Sequence, residues 1–478
     1  MLSYSFEDNK SPIYEQLYNY IKKDIMSGEL SANTKLPSKR SFAGQLSVSV
    51  ITVENAYNQL MSEGFIYSLP KKGFYVSDIF SIGMSLPTDK NLYKENKINR
   101  SSRNEKVIYS KVSVPHYVNQ NTFADFNSNS ADPASFPFST WAKITRRILS
   151  DDQNYLMQNS PSNGIIELRF AISDYLEAFR GMNVNPNNII VGAGTEIMYN
   201  ILIQLLGQSK VYASEIPGYD KIDRILKANS VISERIPLDE YGIIPEQLTE
   251  KSVDIIHITP SHHFPTGITM PIKRRYEILE WANIGLHNFE DKYIIEDDYD
   301  SEFRLSGLPI PSLYSIDNSE RVIYMNTFTK SLASTIRISY MILPDHLMAK
   351  YNETLSFYAC TVSTFEQLTL AHFIADGYYE KHINRMRSSS RRKRNLLLRC
   401  IRESSLGKIA TINEEESGLH FILRLDLKRN EKTFLEKAKK QGINISPVSK
   451  NSYMINYSSI PMDRIEEAVN RLSIAAFD

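Results

Sequence analysis

The stretch Tyr324-Met-Asn-Thr-Phe-Thr-Lys330-Ser-Leu-Ala-Ser-Thr-Ile-Arg337 begins inside an apolar run, Val322 to Met325, that has the composition of a buried strand. Hydroxyl residues end the run, a lysine follows them, and an arginine comes seven residues later. A lysine amine can react with an aldehyde while hydroxyls and a guanidinium hold a phosphate nearby. Taken alone the pattern is weak, because lysine after threonine or serine is common and most such lysines are solvated.

A second apolar run, Ile294-Ile-Glu-Asp297-Asp-Tyr299-Asp-Ser-Glu-Phe303, ends in carboxylates. Pyridoxal 5'-phosphate (PLP) needs a lysine for its aldehyde, an anion against its ring nitrogen and donors for its phosphate. Asp297 would keep the pyridine nitrogen protonated, and Tyr299 could reach the ring hydroxyl. Together the two stretches predict a PLP site in which Lys330 carries the cofactor.

Both stretches resemble those of the fold-type I aminotransferases. The spellings E-D-D-Y-D-S-E-F and T-F-T-K-S-L are similar to those of one branch in particular, the MocR regulators. The resemblance implies an α/β PLP-dependent transferase-like (fold-type I) large domain with a small C-terminal α/β subdomain.

The composition is that of an ordinary globular protein of two or three domains. Of 478 residues, 42% are hydrophobic and 23% are charged. The chain has no apolar run of about 18 residues and no secretory signal pattern, so we expect a cytoplasmic protein without a membrane segment. Its only cysteines, Cys360 and Cys400, lie near no second thiol or histidine cluster, so no disulfide or metal site is expected. The net charge is zero, so any basic surface must be local.

The N-terminal region has the pattern of three helices and a β-hairpin, which predicts a winged helix-turn-helix. Apolar residues recur at helical spacing, and serine or proline starts each helical segment. The predicted helices are residues 11–28, 38–46 and 49–64, and the predicted strands are residues 65–67 and 73–76.

From Leu36 to Val76 this region resembles the GntR family of bacterial DNA-binding domains, through L-P-S-K-R-S-F-A at its start and K-G-F-Y-V at its end. The resemblance implies that Arg40 contacts double-stranded DNA and that the helix beginning near Ser49 enters the major groove. The other candidates for DNA contact on this face are Lys39, Thr52, Lys71 and Lys72. A winged helix used only for protein contacts is the alternative interpretation.

The chain divides into three parts. Residues 1–78 form the winged helix, and residues 79–120 have the composition of a linker, with many basic residues and little apolar periodicity. Two interpretations of the linker are open: it is a solvated tether, or it is an arm that contacts DNA phosphates. Residues 121–478 form the aminotransferase-like domain, where helices alternate with apolar runs. This alternation predicts a mostly parallel sheet.

Ligands collect at the carboxyl ends of parallel strands, and each remaining cofactor candidate follows such a run. By resemblance, Tyr219 stacks on the pyridine ring. Residues 259–267 resemble the family's T-P-S-H-Q-F-P-T-G, which implies that His262 lies near the ring hydroxyl. Without the resemblance, a histidine pair at this position belongs to a loop or to the core more often than it binds a ligand. The candidates for phosphate binding are Gly194 and Thr195 at a helix N-terminus with Thr327, Thr329 and Arg337.

The C-terminal part lacks an arginine that is usual in the family it resembles. Fold-type I aminotransferases usually hold the substrate carboxylate with an arginine on a late strand, and Met454 occupies that position. A basic helix around residues 385–394 is interpreted as a solvated face.

Two hypotheses follow. In the first, the chain is a transcription regulator that senses PLP, or an amino compound joined to it, and controls vitamin B6 synthesis. In the second, it is a working PLP-dependent aminotransferase with a DNA-binding module. The resemblance further implies a head-to-tail homodimer, with each winged helix over the partner's large domain.

Overall fold

The N-terminal region folds as the predicted winged helix-turn-helix. The computed structural model describes residues 4, 6, 11–70, 72–78, 122–128, 135–288, 291–305, 310–413, 418–428 and 430–477. Ser38 and Ser49 cap the second and third helices, because their Oγ atoms accept the N–H of Ser41 (3.2 Å) and Thr52 (3.0 Å). The elements of this domain are α1 (Ile13–Met26), α2 (Lys39–Leu46), α3 (Val50–Ser62), β1 (Ile66–Leu69) and β2 (Gly73–Val76).

The rest of the described chain alternates strands with helices, as predicted. The strands are β3 (Ala124–Asp125), β4 (Ile189–Gly192), β5 (Val211–Ile216), β6 (Ile232–Asp239), β7 (Gly242–Ile243), β8 (Ile255–Ile258), β9 (Tyr293–Asp297), β10 (Val322–Thr327), β11 (Ser339–Ile342), β12 (Ala410–Asn413), β13 (His420–Leu425), β14 (Ile443–Asn444), β15 (Pro447–Ser449) and β16 (Ser452–Asn456). The helices are α4 (Phe138–Asp151), α5 (Gln153–Leu156), α6 (Ile166–Arg180), α7 (Thr195–Leu206), α8 (Asp220–Ala228), α9 (Pro245–Glu250), α10 (Ile272–Asn288), α11 (Leu313–Ile316), α12 (Asp345–Thr354), α13 (Thr364–Ala375), α14 (Tyr378–Glu403), α15 (Glu431–Lys440) and α16 (Ile465–Phe477).

A sheet with the strand order β4-β11-β10-β9-β8-β5-β6-β7 forms the centre of the large domain. Strands β5, β6, β8, β9 and β10 are parallel, whereas β11 and the edge strand β7 run antiparallel to their neighbours. Successive strand residues enter different apolar clusters: Tyr340 and Ile342 lie on one face and Met341 on the other. Helices therefore cover both faces, which is why the strands read as continuous apolar runs.

The C-terminal part is a separate small α/β subdomain. Its antiparallel sheet has the order β12-β13-β16-β15 and packs on α15 and α16. Helix α14 joins the two parts, because Ile383 lies in a core cluster of the large domain and Ile401 lies in the core of the subdomain. The predicted fold-type I arrangement is therefore confirmed.

The interpretation of the basic helix as a solvated face is wrong for part of α14. Lys393 and Arg394 are buried, and Arg387 and Arg391 donate to the carbonyls of Arg304 (3.0 Å) and Leu305 (2.6 Å). The charge count of a helix does not reveal which of its residues face another domain. Such burial depends on the position of the subdomain.

The winged helix packs against the large domain of the same chain. The N–H of Ile272 at the start of α10 donates to the carbonyl of Glu63 (2.8 Å), and Gly64 lies against Pro271. Apolar residues of the winged helix share one cluster with α10. The predicted linker, residues 79–120, lies outside the described residues. Among the helices of the described ranges, none has the length and apolar character needed to cross a membrane.

Candidate functional site

The sheet topology brings the predicted cofactor residues to one edge. The parallel strands end at this edge, and antiparallel β11 begins there. Arg337, two residues before β11, therefore lies beside residues that follow other strands. Ser339 pairs with both Thr327 and Gly192, which fixes this register. The predicted residues at or just beyond this edge are Gly194, Thr195, Tyr219, His262, Asp297, Tyr299, Thr327, Thr329, Lys330 and Arg337.

The predicted phosphate-binding residues form a cup at the N-terminus of α7. Gly194 has a φ of 96°, and a Cβ there would lie 2.2 Å from Nη2 of Arg337, so the close approach requires glycine. Thr327 Oγ1 donates to Thr329 Oγ1 (2.8 Å). The sequence analysis missed Glu196, which accepts from Arg337 (2.8 Å) and holds that guanidinium against the cup.

The predicted ring-binding residues lie on β9 and the loops beside it. The Oδ2 atom of Asp297 lies 3.4 Å from Nε2 of His257. The ring of Tyr299 stacks on that of His262, with centroids 6.4 Å apart, and its hydroxyl lies 3.4 Å from His262 Nδ1. Tyr219 makes an edge contact with Phe264. Burial, and then the neighbouring Asp300 and Asp297, raise the pKa of Tyr299 well above 10.

Lys330 has the properties of a reactive amine. Burial lowers its pKa to about 8, although Asp300 and Asp297 act in the opposite direction. A solvated lysine titrates near 10.4. Near neutral pH, Lys330 is therefore neutral and nucleophilic in a larger fraction of molecules than a solvated lysine would be.

A buried cluster of three polar residues adjoins Tyr299. His262 Nδ1 lies 2.7 Å from Asp300 Oδ2, and the ring of His420 lies 4.3 Å from that of His262. One possible metal-ligand atom from each of these three residues lies within 4.8 Å of the others. The sequence analysis looked for a metal site only near the two cysteines and therefore did not find this group. Burial, and then His262 and Lys330, lower the pKa of His420 well below 6.5, which keeps its imidazole neutral. The sequence analysis assigned no role to Asp300 or His420, because neither is near its partner in the chain.

The residues at this edge fit PLP. A Cβ at Gly418 would lie 2.0 Å from the His262 ring, so the loop leaves no space for any other residue there. Within the described part of the chain, His262 Nε2 and Ser261 Oγ are buried and have no hydrogen-bond partner. Such groups need a ligand or water. The site offers an amine, a carboxylate, a phenol and a cationic cup, which are the groups that the cofactor requires.

Five of the six predicted DNA-binding residues lie within the described residues: Lys39 and Arg40 on α2, Ser49 and Thr52 at the start of α3, and Lys72 between β1 and β2. Arg40 and Lys72 are exposed, whereas Lys71 lies outside the described residues. Lys39 forms an ion pair with Glu54 (2.6 Å), and Ser49 Oγ lies 2.8 Å from Thr52 Oγ1.

The sequence analysis assigned no DNA contact to two apolar residues at the start of α3. Val50 and Ile51 are 42% and 68% exposed, respectively. Exposed apolar residues at the start of a recognition helix can contact thymine methyl groups. The signal available in the sequence was an isoleucine outside the apolar stripe of α3.

Fold and site together define the class: a winged helix with a DNA-binding face, joined to a domain with the fold of PLP-dependent aminotransferases. Residues 13–76 match the gntR family of bacterial regulatory proteins. Among solved structures, the multiple substrate aminotransferase from Thermococcus profundus is 26% identical with a TM-score of 0.64. The match covers 75% of this chain and 92% of that one.

Three curated relatives match nearly the whole chain. The uncharacterized HTH-type transcriptional regulator YdeL of Bacillus subtilis is 37% identical, covering 97% of this chain and 96% of the relative. The probable rhizopine catabolism regulatory protein MocR of Rhizobium meliloti is 30% identical, covering 98% and 94%. The HTH-type pyridoxine biosynthesis transcriptional regulator PdxR of Corynebacterium glutamicum is 27% identical, covering 91% and 87%. The chain belongs to the MocR subfamily of GntR-type transcription regulators.

Proposed function

We propose that the aminotransferase-like domain of this regulator binds PLP through Lys330 and senses the cofactor or an amino compound that reacts with it. The observation that carries the proposal is the convergence of Lys330, Asp297 and Tyr299 at one sheet edge, with the pKa of Lys330 lowered to about 8. When bound, the cofactor supplies an aldehyde that amines attack reversibly.

Each residue of the edge would have a defined task. Lys330 would hold the aldehyde carbon, and Asp297 would keep a proton on the pyridine nitrogen. Tyr299 and His262 would face the ring hydroxyl, and Tyr219 would cover the ring. The phosphate would lie in the cup made by Gly194, Thr195, Thr327, Thr329 and Arg337.

Sensing of the cofactor, with control of vitamin B6 synthesis, is the form of the proposal that one relative favours. One relative is named as a regulator of pyridoxine biosynthesis. Methionine stands at position 454 of β16, where aminotransferases present an arginine, and a thioether cannot bind a carboxylate.

An aminotransferase with a DNA-binding module is the second candidate. The similarity of the large domain to a multiple substrate aminotransferase favours it. Repeated turnover of common amino donors by the purified protein would rank this candidate first.

The proposed assembly is a head-to-tail homodimer. The surface around Glu63 and Gly64 that contacts α10 would make the same contact with α10 of a partner if the heads were exchanged. A dimer would present two heads to two half-sites of an operator.

The Lys330→Ala substitution tests cofactor binding. We expect purified protein incubated with PLP to show an absorbance band at roughly 410–430 nm, and the Lys330→Ala variant to lack it. Lys350→Ala, which removes an exposed lysine of α12, is the matched control and should keep the band. A band that survives in the Lys330→Ala variant would refute the assignment.

Gel shifts with DNA upstream of the protein's own gene, with and without PLP, then test whether the cofactor changes DNA binding.

A further inference from the structure

The side of α3 that faces away from the core of the winged helix carries an isoleucine and two asparagines. Ile51, Asn55 and Asn58 are exposed and are separated by four and three positions, so they lie on one side of the helix. The buried side of α3 includes Val53, which is about 200° further around the helix than Ile51. Ile51 is 68% exposed and therefore contributes little to the core, although isoleucine is among the residues most often buried.

The start of this face lies at the end of α3 that is remote from the large domain. The contact with α10 is made by Glu63, which directly follows α3. A helix of 13 residues is about 20 Å long, so Ile51 in the first turn is far from that contact. The first turn is also fixed by its cap, because Ser49 Oγ accepts the N–H of Thr52 (3.0 Å). A fixed and exposed first turn suits the major groove, where the N-terminal residues of a recognition helix contact base edges.

The composition of α3 limits which bases this face can read. Guanine is most often read by arginine or lysine, and neither occurs between Val50 and Ser62. The one charged residue in the sequence of α3, Glu54, forms an ion pair with Lys39 (2.6 Å). In the major groove, apolar side chains contact the C5-methyl group of thymine, and an asparagine amide matches N6 and N7 of adenine. The exposed side chains of α3 therefore match A·T base pairs.

We propose that Ile51 and Asn55 read A·T base pairs in the operator, with Ile51 against a thymine methyl group and Asn55 hydrogen-bonded to an adenine. Four helical residues span about 6 Å and one base-pair step spans about 3.4 Å, so the two contacts fall on base pairs one or two steps apart. Contact with the methyl group removes apolar surface of both partners from water, which is the source of the preference for thymine. The proposal concerns DNA recognition alone and does not depend on PLP.

The experiment starts from the sites that the full-length protein selects from a library of random DNA duplexes. We expect the selected sites to contain A·T pairs one or two steps apart. Each thymine of a selected site is then replaced by uracil, which removes the methyl group, and each adenine by 7-deazaadenine, which removes the N7 acceptor. At one thymine, uracil should lower the affinity of the wild type roughly three- to fourfold. At one adenine, 7-deazaadenine should lower it roughly two- to tenfold.

Each variant should lose one discrimination and keep the other. Ile51→Ala should bind the thymine and uracil duplexes equally well and still distinguish adenine from 7-deazaadenine, whereas Asn55→Ala should do the reverse. The control is Ile284→Ala, which removes an exposed isoleucine (42%) of α10 and should keep both discriminations. Fluorescence anisotropy measures the affinities. The readout is the ratio of affinities for two duplexes, because an unfolded fraction of a variant lowers both affinities by the same factor.

The two contacts can fail separately. A selection that enriches no sequence, or only sites without A·T pairs, would overturn the whole proposal. The thymine contact would be refuted by a wild type that is indifferent to uracil at every thymine, or by an Ile51→Ala variant that keeps the wild-type ratio. An Asn55→Ala variant that still distinguishes adenine from 7-deazaadenine would refute the adenine contact.

Discussion

Lys330 and its neighbours show how burial and nearby carboxylates act in opposite directions on the pKa of an amine. Burial favours the neutral form of the amine, and the carboxylates of Asp300 and Asp297 favour the charged form. Burial is the larger effect, so the pKa falls to about 8. Above this pH most molecules carry a neutral, nucleophilic lysine, and below it most carry an ammonium.

The rate of cofactor loading should report this pKa. We expect the rate at which PLP reacts with the cofactor-free protein to rise with pH and to level off above pH 8, since the neutral fraction of Lys330 rises through its pKa of about 8. Stopped-flow absorbance at the cofactor band measures the rate, and the Lys330→Ala variant gives the background from other lysines. A rate that continues to rise toward about pH 10.4, as expected for a solvated lysine, would contradict the assignment.

The predicted DNA-binding face of the winged helix includes the short side chains of Ser49 and Thr52 and the exposed Arg40 of α2. The N-terminus of α3 is capped by Ser49, so its first residues are fixed before DNA binds. Because Lys39 is paired with Glu54, the exposed Arg40 is the stronger candidate for a base or phosphate contact from α2.

Loss of Arg40 should weaken DNA binding. We expect Arg40→Ala to lower operator affinity by roughly 5- to 150-fold, which corresponds to about 1–3 kcal/mol for one arginine contact to a base. Fluorescence anisotropy with labelled operator DNA at fixed salt measures the change. Lys23→Ala removes an exposed lysine of α1, outside α2 and α3, and should have little effect. Full affinity in the Arg40→Ala variant would count against this docking of the winged helix.

At the scale of the whole molecule, a continuous set of contacts joins the sheet edge near Lys330 and His262 to the winged helix, here called the head. Arg275 of α10 is completely buried and donates to the carbonyl of Pro260 (2.8 Å), which begins the loop containing His262. The first residue of α10, Ile272, donates to Glu63 of the winged helix. A shift of the loop would therefore displace the surface on which the head rests, and a ligand that favours one arrangement would change the position of the head.

A substitution at Gly64 should break this coupling. A Cβ at Gly64 would lie 2.9 Å from both the backbone nitrogen of Ile272 and the Cβ of Pro271, so Gly64→Ala should push the head away from α10. We expect the variant to keep the cofactor band and to bind DNA, but to lose the dependence of DNA affinity on PLP.

Gly28→Ala is the matched control for this test. Gly28 also has a positive φ (82°), but its Cβ would meet no atom within 4 Å. Both variants carry the backbone cost of alanine at positive φ, roughly 1 kcal/mol. Only Gly64→Ala should uncouple the two domains, as measured by operator binding with and without PLP. Equal behaviour of the two variants would mean that the contact with α10 carries no signal.

The sequence by itself determined most of the local architecture and the cofactor candidates. Apolar periodicity determines the helices of the winged domain, and serines cap α2 and α3. Each cofactor candidate, such as Gly194 or Asp297, lies at or after the end of its own apolar run. These features are local, because they depend on residues within one or two helical turns or one strand.

Only the tertiary structure decided which distant residues meet. His420 joins His262 and Asp300, Lys393 is buried beside Lys330, and the head rests on α10, although these partners are far apart in the chain. Such pairings depend on how the small subdomain and the winged helix pack on the large sheet. Packing is set by the sum of many apolar contacts, and no single motif records that sum.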